Sequence, residues 1–311
     1  MPQEPDQSLR EKPLLRYWLA TRPGFLAASI VPVLVGTAAF AHQGGHVSLL
    51  LLLLSLLAIM LVHSGVNVLN DYYDELNGTD RLNTQRIFPF TGGSRFIQNG
   101  VMDTQETLIF GSALLAAASV LGIGLSLHSG IELIWIGMAG LLLGWGYSAP
   151  PMRLNSRGFG EIAVVLGFGT LPPLGAWFVQ SGELTWYPVL VSIPTALLVM
   201  NILVINQFPD YEADKQSGKR HWVVRFGLQK ATYLYQSFLI QAVFFVVLFT
   251  LNGTMPGWSI VSGIPLLLAG RANLLLQKHA KQPTQLETAI KLTIAAAITH
   301  GLLLSLALWF S

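Results

Sequence analysis

Long apolar runs decide what this chain can become. The stretch LLLLLLSLLAIMLVHSGVNVLN, residues 49–70, is apolar on every helical face until its last turns, which suits burial in lipid rather than one-sided packing on a soluble core. A helix that crosses the hydrocarbon layer needs roughly 20 mostly apolar residues, about 17–25 in practice. Nine stretches qualify: 24–41, 48–70, 107–127, 131–148, 161–180, 186–207, 231–251, 258–276 and 288–310. The run at 161–180 contains GFGTLPPLGAW, whose glycines and paired prolines are expected to kink or interrupt its helix. Only 11% of the 311 residues are charged, against about 25% in a soluble domain. The expected fold is all-α, a polytopic bundle of nine transmembrane helices forming one membrane-embedded domain over residues 1–311.

The connections alternate in character. AHQGGHVS, LHSG, QSGELTW and LNGTMPGW are short and hold no Lys or Arg. The other set holds nearly every base: Arg10, Lys12, Arg16 and Arg22 before the first span; Arg81, Arg86 and Arg95 after the second; Arg153 and Arg157 after the fourth. Lys215, Lys219, Arg220, Arg225 and Lys230 follow the sixth span, and Arg271, Lys278 and Lys281 the eighth, so only Lys291 of the 18 bases lies elsewhere. By the positive-inside rule, the N-terminus and the long loops face the cytoplasm and the C-terminus lies outside. The N-terminal segment 1–22 lacks the short basic region and cleavage site of a signal peptide, so no processing is expected. Within it, Leu14, Leu15, Trp18 and Leu19 form an apolar stripe, either a helix lying in the interface or an extension of the first span. The net charge of +2 argues against a nucleic-acid surface, and the absence of cysteine excludes disulfides, thiolate metal sites and a cysteine nucleophile.

Acids near a hydrocarbon phase are costly unless water or a cation offsets them. Yet seven of the 16 acids sit in two stretches, NDYYDELNGTD at 70–80 and NQFPDYEADKQSGKR at 206–220. Laid on each other, Asn70 falls on Asn206 and Asp74 on Asp210, a weak internal repeat. Asn67, Asn70 and Asp74 stand at i, i+3 and i+7 with Asp71 beside them, so all four can face one way. Asn206, Asp210 and Asp214 stand at i, i+4 and i+8, with Pro209 interrupting the set. Two helix ends offering an Asn and two Asp each would make an all-oxygen site of the kind Mg²⁺ prefers, completed by water and substrate phosphates. The bases around them add contacts for anionic oxygens. Taken singly, a basic loop residue is an ordinary topology signal and an acidic helix end an ordinary cap or surface ion pair. Two matching clusters outweigh that reading.

At these residues the chain resembles the UbiA superfamily of intramembrane prenyltransferases. The likeness rests on NDYYD (70–74), DYEAD (210–214), YSAPPMRLNSRGFGE (147–161) and GKRHWVVRFG (218–227), in order and on matching helices. The two acidic motifs are most similar to those of the 1,4-dihydroxy-2-naphthoate prenyltransferase branch, which serves menaquinone biosynthesis. Three positions depart from the pattern. The third acid of the first motif would fall at Gly78, with Asp80 two residues later; Asn155 replaces a common Lys; and PFTGGSRFIQNG (89–100) fits only some members.

The resemblance implies nine helices around a lipid-facing cavity and Mg²⁺-dependent transfer of a polyprenyl chain from an allylic diphosphate to an aromatic acceptor. It implies Asn67, Asn70, Asp71, Asp74, Asp210 and Asp214 as metal ligands. Arg153, Lys215, Lys219, Arg220, Arg22 and Arg95 are the candidates for diphosphate binding. The allylic cation needs shielding from water and gains from aromatic faces, so Tyr72, Tyr147, Phe168 and Trp177 are candidate pocket residues, with ordinary packing as the alternative for each. His63, one turn before Asn67, is a candidate acceptor contact or a satisfied core histidine. A cation-coupled transporter is the rival class, but its acids would sit near the bilayer midplane rather than at helix ends. An acceptor such as 4-hydroxybenzoate is the alternative within the enzyme class. The expected location is an integral protein of the bacterial inner membrane.

Overall fold

The structure, a computed structural model, describes residues 3–311; residues 1–2 of the N-terminal segment lie outside the described residues. Among the described residues it is helical throughout, with no strand. Its main helices are α1 (Pro13–Ala20), α2 (Ala27–His42), α3 (Leu49–Leu76), α4 (Thr104–Ser129), α5 (Glu132–Ser148) and α6 (Gly160–Ser181). They continue as α7 (Tyr187–Asn206), α8 (Leu228–Leu251), α9 (Gly257–His279) and α10 (Glu287–Trp309). Eight of these are long and apolar enough to cross a membrane. The expected fourth span falls on α5, a 17-residue helix that is not one of these eight.

Local chemistry starts and bends these helices. Ser48 caps α3 by accepting a hydrogen bond from the Leu51 amide, and Asp103 caps α4 through the Glu106 amide at 2.7 Å. The expected break in α6 is a π-helical turn at Val165–Thr170, and Pro172 and Pro173 follow it in the first turn of the next α-helical stretch. There a missing N–H costs nothing, so the prolines restart the helix rather than break it. The N-terminal stripe lies on α1, separated from α2 by a left-handed residue, Arg22, and a 3₁₀ turn at Pro23–Phe25. Leu14, Leu15, Trp18 and Leu19 are all exposed there, as befits a helix lying on a membrane surface.

The helices form a closed bundle. α3 packs along α4, α9 along α10, and α10 returns to pack on α2. In lipid, helices associate through close backbone approach rather than through a hydrophobic gradient. Gly36 of α2 shows this: a Cβ there would stand 2.3 Å from the Pro173 carbonyl oxygen of α6. Gly111 of α4 leaves the space taken by the Leu69 side chain of α3. The outward faces stay apolar, with Leu127 84% and Leu251 81% exposed, an arrangement stable only against lipid. Trp135, Trp186 and Trp258, all exposed, sit at helix ends beside the base-free loops, as an interfacial aromatic belt would.

Candidate active site

Helix length places the first acidic motif. The 28 residues of α3 span about 42 Å at 1.5 Å per residue, against a hydrocarbon core of about 30 Å. The helix is therefore longer than one straight crossing needs, and its last turns carry Asn70, Asp71 and Asp74. Asn70 Nδ2 donates to Asp74 Oδ2 at 3.2 Å and to Ser148 Oγ at 2.8 Å, fastening the end of α3 to the end of α5.

The second motif is built differently. α7 ends at Asn206, a turn through Pro209 follows, and a separate short helix, Tyr211–Gln216, carries Asp214. The expected interruption of the i, i+4, i+8 set is present: Pro209 has no N–H to extend the ladder and biases the residue before it out of the helical region, and a new helical turn starts after it. Tertiary bonds fix these acids instead. Asn83 donates through Nδ2 to Asp210 Oδ1, and His221 Nε2 meets Asp214 Oδ2 at 2.9 Å. His221 Nδ1 accepts from the Val224 amide as the cap of helix Trp222–Phe226, so its proton lies on Nε2 and points at Asp214.

Lys219 joins the two motifs. Its Nζ lies 3.0 Å from Asp74 Oδ1 and 3.3 Å from Asp214 Oδ1, with all three side chains buried. One ammonium group touches both carboxylates, so a single small ligand can also bridge them. Burial alone would lower the Lys219 pKa, but Asp214 and Asp74 outweigh it and raise it. Burial likewise works to raise Asp214, yet Lys219 and His221 hold its carboxyl below the usual range. Asp210 has fewer cationic neighbours: burial, with Asp214 adding, pushes it up to about 7.

The loop after α3 folds over this cluster. The Ser94 amide donates to Asp71 Oδ1 at 3.1 Å, so Asp71 anchors the loop at the flank of the cavity. Asp80 is buried against Gly93, whose φ of +74° and missing Cβ admit the carboxylate; a Cβ there would lie 2.4 Å from Asp80 Oδ2. Burial, and then Asp74 and Asp71, raise the Asp80 pKa well above the usual carboxylate range. Arg95 is buried and donates to the Asp80 backbone carbonyl, and Arg86 Nε reaches Glu4 at 2.7 Å, tying the N-terminal segment to the loop.

Below the acids lies a cavity of about 760 Å³. It is lined along α3 from Ser55 to Asp74, about 28 Å of helix, a length comparable to the roughly 30 Å of a hydrocarbon core. Its mouth carries Asn67, Asn70, Asp74, Asp80, Asn83, Asp210, Asp214, Lys219 and His221; its depth is apolar, with Ala118, Gly122, Leu133, Gly175 and Val179. Arg22, His63, Tyr147 and Phe168 also line it. Among the described residues, no three acidic or histidine side chains converge tightly enough to hold an ion by themselves. The surroundings nonetheless suit a hard cation that keeps waters and shares phosphate oxygens. Asn83 Oδ1, Asn206 Oδ1 and Gln207 Oε1 line the same mouth, buried and without hydrogen-bond partners, which is oxygen donor capacity left over.

Other expected site residues fall outside the cavity wall. Arg153 and Arg220, on loops, and Lys215, on the short helix Tyr211–Gln216, are exposed at the same end, Lys215 lying over the Tyr211 ring at 5.7 Å. Tyr72 packs edge-on against Tyr73 at 5.0 Å, and Trp177 packs at the far end of the bundle against Phe40 and Tyr187. Asn83, Thr91 and His221 line the mouth but were not among the expected site residues. Of these, only His221 lies within a motif that carried the family resemblance, GKRHWVVRFG.

Comparison with known proteins follows the same lines. A family described as the UbiA prenyltransferase family matches residues 29–308. A 1,4-dihydroxy-2-naphthoate octaprenyltransferase of Bacillus subtilis is 29% identical over 94% of this chain and 92% of its own length. One of Mycobacterium tuberculosis is 32% identical over 82% of this chain and 84% of its own. Among solved structures, a UbiA homolog from Archaeoglobus fulgidus bound to DMAPP and Mg²⁺ superposes with a TM-score of 0.64 at 18% identity, covering 92% of this chain and 98% of that one.

Proposed function

Since the chain belongs to the UbiA prenyltransferase family and is a membrane-embedded prenyltransferase, we propose that it moves a polyprenyl chain from an allylic diphosphate to 1,4-dihydroxy-2-naphthoate, with loss of CO₂ and dependence on Mg²⁺. The observation that carries this is the Lys219 bridge, which holds the two acidic motifs within reach of one ligand at the mouth of a long apolar cavity. The relatives named for this acceptor support the choice. The family assignment sets the transporter aside; 4-hydroxybenzoate remains the competing acceptor.

Asp71, Asp74, Asp210 and Asp214, with Asn67 and Asn70, would hold Mg²⁺, which when bound neutralises charge on the departing diphosphate. Lys219 and Arg22, both in the cavity wall, donate to the diphosphate oxygens as charge develops on them. Arg153, Lys215 and Arg220, exposed around the mouth, attract the anion to it. Arg95 acts through Asp80, holding the loop closed. The apolar depth takes the prenyl tail and keeps water from the allylic cation, while Tyr147 and Phe168 offer ring faces. Nine crossings, with the basic loops in the cytoplasm of a bacterial inner membrane, complete the reading.

The test is direct. Purified protein with Mg²⁺ and a prenyl diphosphate is given a panel of aromatic acids, and products are read by mass. A prenylated, decarboxylated naphthalene product is expected; no prenylated product from any acceptor overturns the reading.

A further inference from the structure

His63 lies on α3 one turn from Asn67, within the cavity wall. Its Nδ1 is 3.0 Å from Ser29 Oγ, and Ser29 Oγ is 2.9 Å from the Leu26 carbonyl oxygen, a partner that can only accept. A hydroxyl has one proton to give, and here it goes to the carbonyl. Ser29 Oγ is then an acceptor, so the ring proton of His63 sits on Nδ1 and Nε2 presents a lone pair. Nε2 has no hydrogen-bond partner within the protein and is not among the buried unpartnered atoms, which leaves it open to the cavity. Phe168 meets the imidazole edge-on at 5.2 Å and fixes its plane. This is a pre-set hydrogen-bond acceptor in an otherwise apolar stretch of wall, a short way below the acids.

We infer that His63 is a catalytic residue that receives the ring hydroxyl of the aromatic acceptor on Nε2. The inference rests on the reading above and adds the acceptor's side of the site. Diphosphate oxygens carry no proton to give such a lone pair, whereas a phenolic O–H matches it. As the ring attacks the allylic carbon, the ring and its hydroxyl oxygen take on positive charge and the O–H becomes more acidic. The bond to Nε2 therefore tightens in the transition state more than in the ground state, which is the condition for accelerating the chemical step. Ser29 is a positioning residue, holding the tautomer that leaves Nε2 free.

The experiment pairs a protein change with a substrate change. Binding of 1,4-dihydroxy-2-naphthoate and of its mono-O-methyl ethers is measured by quenching of naphthoate fluorescence in detergent-solubilised protein without metal, alongside steady-state rates. The wild type is expected to prefer the free hydroxyl by roughly tenfold, because a lone hydrogen-bond acceptor is left unpaired by the ether. His63→Ala should erase that preference and leave KM for the prenyl diphosphate within about twofold; His63→Gln, whose amide oxygen can accept, should restore part of it. Ser29→Ala should lower the preference by a smaller factor, because Nδ1 loses its acceptor and the other tautomer competes. Gel filtration establishes that each variant is folded. A folded His63→Ala protein that keeps the full preference, or weakens both ligands equally, overturns the inference while leaving the proposed function standing. A wild type that prenylates no aromatic acid overturns both. Should it prenylate a different hydroxy-arene, the same comparison with that acceptor's ether decides.

Discussion

The two acidic motifs reach the same cavity mouth by different means. The first is the continuation of a helix: Asn67, Asn70 and Asp74 keep the spacing of α3, and the backbone ladder alone aligns them. The second is assembled: α7 stops at Asn206, and Asp210 and Asp214 are set in a turn and a six-residue helix held by Asn83, Lys219 and His221. A helix that short has no stability of its own. The first motif should thus tolerate loss of its neighbours, and the second should not.

The largest effect removes charge from either side. Asp74→Ala and Asp210→Ala are each expected to cut prenyl transfer by at least about a thousandfold, with normal gel-filtration behaviour, as would chelation of divalent cations reversed by Mg²⁺. Equal losses would show that the two motifs share one ligand; a loss at only one would break their equivalence. Next comes the bridge. Lys219→Met leaves Asp74 and Asp214 facing each other without their common cation, and an uncompensated buried charge costs about 3–5 kcal/mol. A fall in thermal stability is expected together with a loss of activity of about a hundredfold.

The comparison itself is tested by the supporting side chains. His221→Ala removes the hydrogen bond that aims Asp214, and should raise the Mg²⁺ concentration for half-maximal rate by about ten- to a hundredfold. Ser148→Ala removes a bond from Asn70 of the first motif, where the helix already sets the geometry, and should shift it less than about threefold. Similar shifts for the two would refute the distinction between a helix-borne and an assembled motif. The smallest effect is expected at Pro209→Ala, within about 1 kcal/mol of stability, because the tertiary bonds hold the turn without it.

Much of this architecture is legible in the amino-acid sequence. The π-helical turn sits where glycines and prolines interrupt the apolar run of α6, and the two acidic patches do meet. The second motif is interrupted at Pro209, as its sequence leads one to expect. Spacing arguments mark that break, where Pro209 ends the helical ladder, but not what holds the turn beyond it. Asn83 is invisible to them for a related reason: an Asn in a polar loop carries no periodicity, and its bond to Asp210 crosses 127 residues.

Composition and periodicity by themselves made this a helical membrane protein with two acidic helix ends and a basic side, because lipid admits only backbone that satisfies its own hydrogen bonds and penalises charge according to depth. Which acids share a cation, which loop closes over them, and which nitrogen of His63 faces the cavity belong to the tertiary structure alone. Those are distances of a few ångströms between residues far apart in the chain, and no local pattern encodes them.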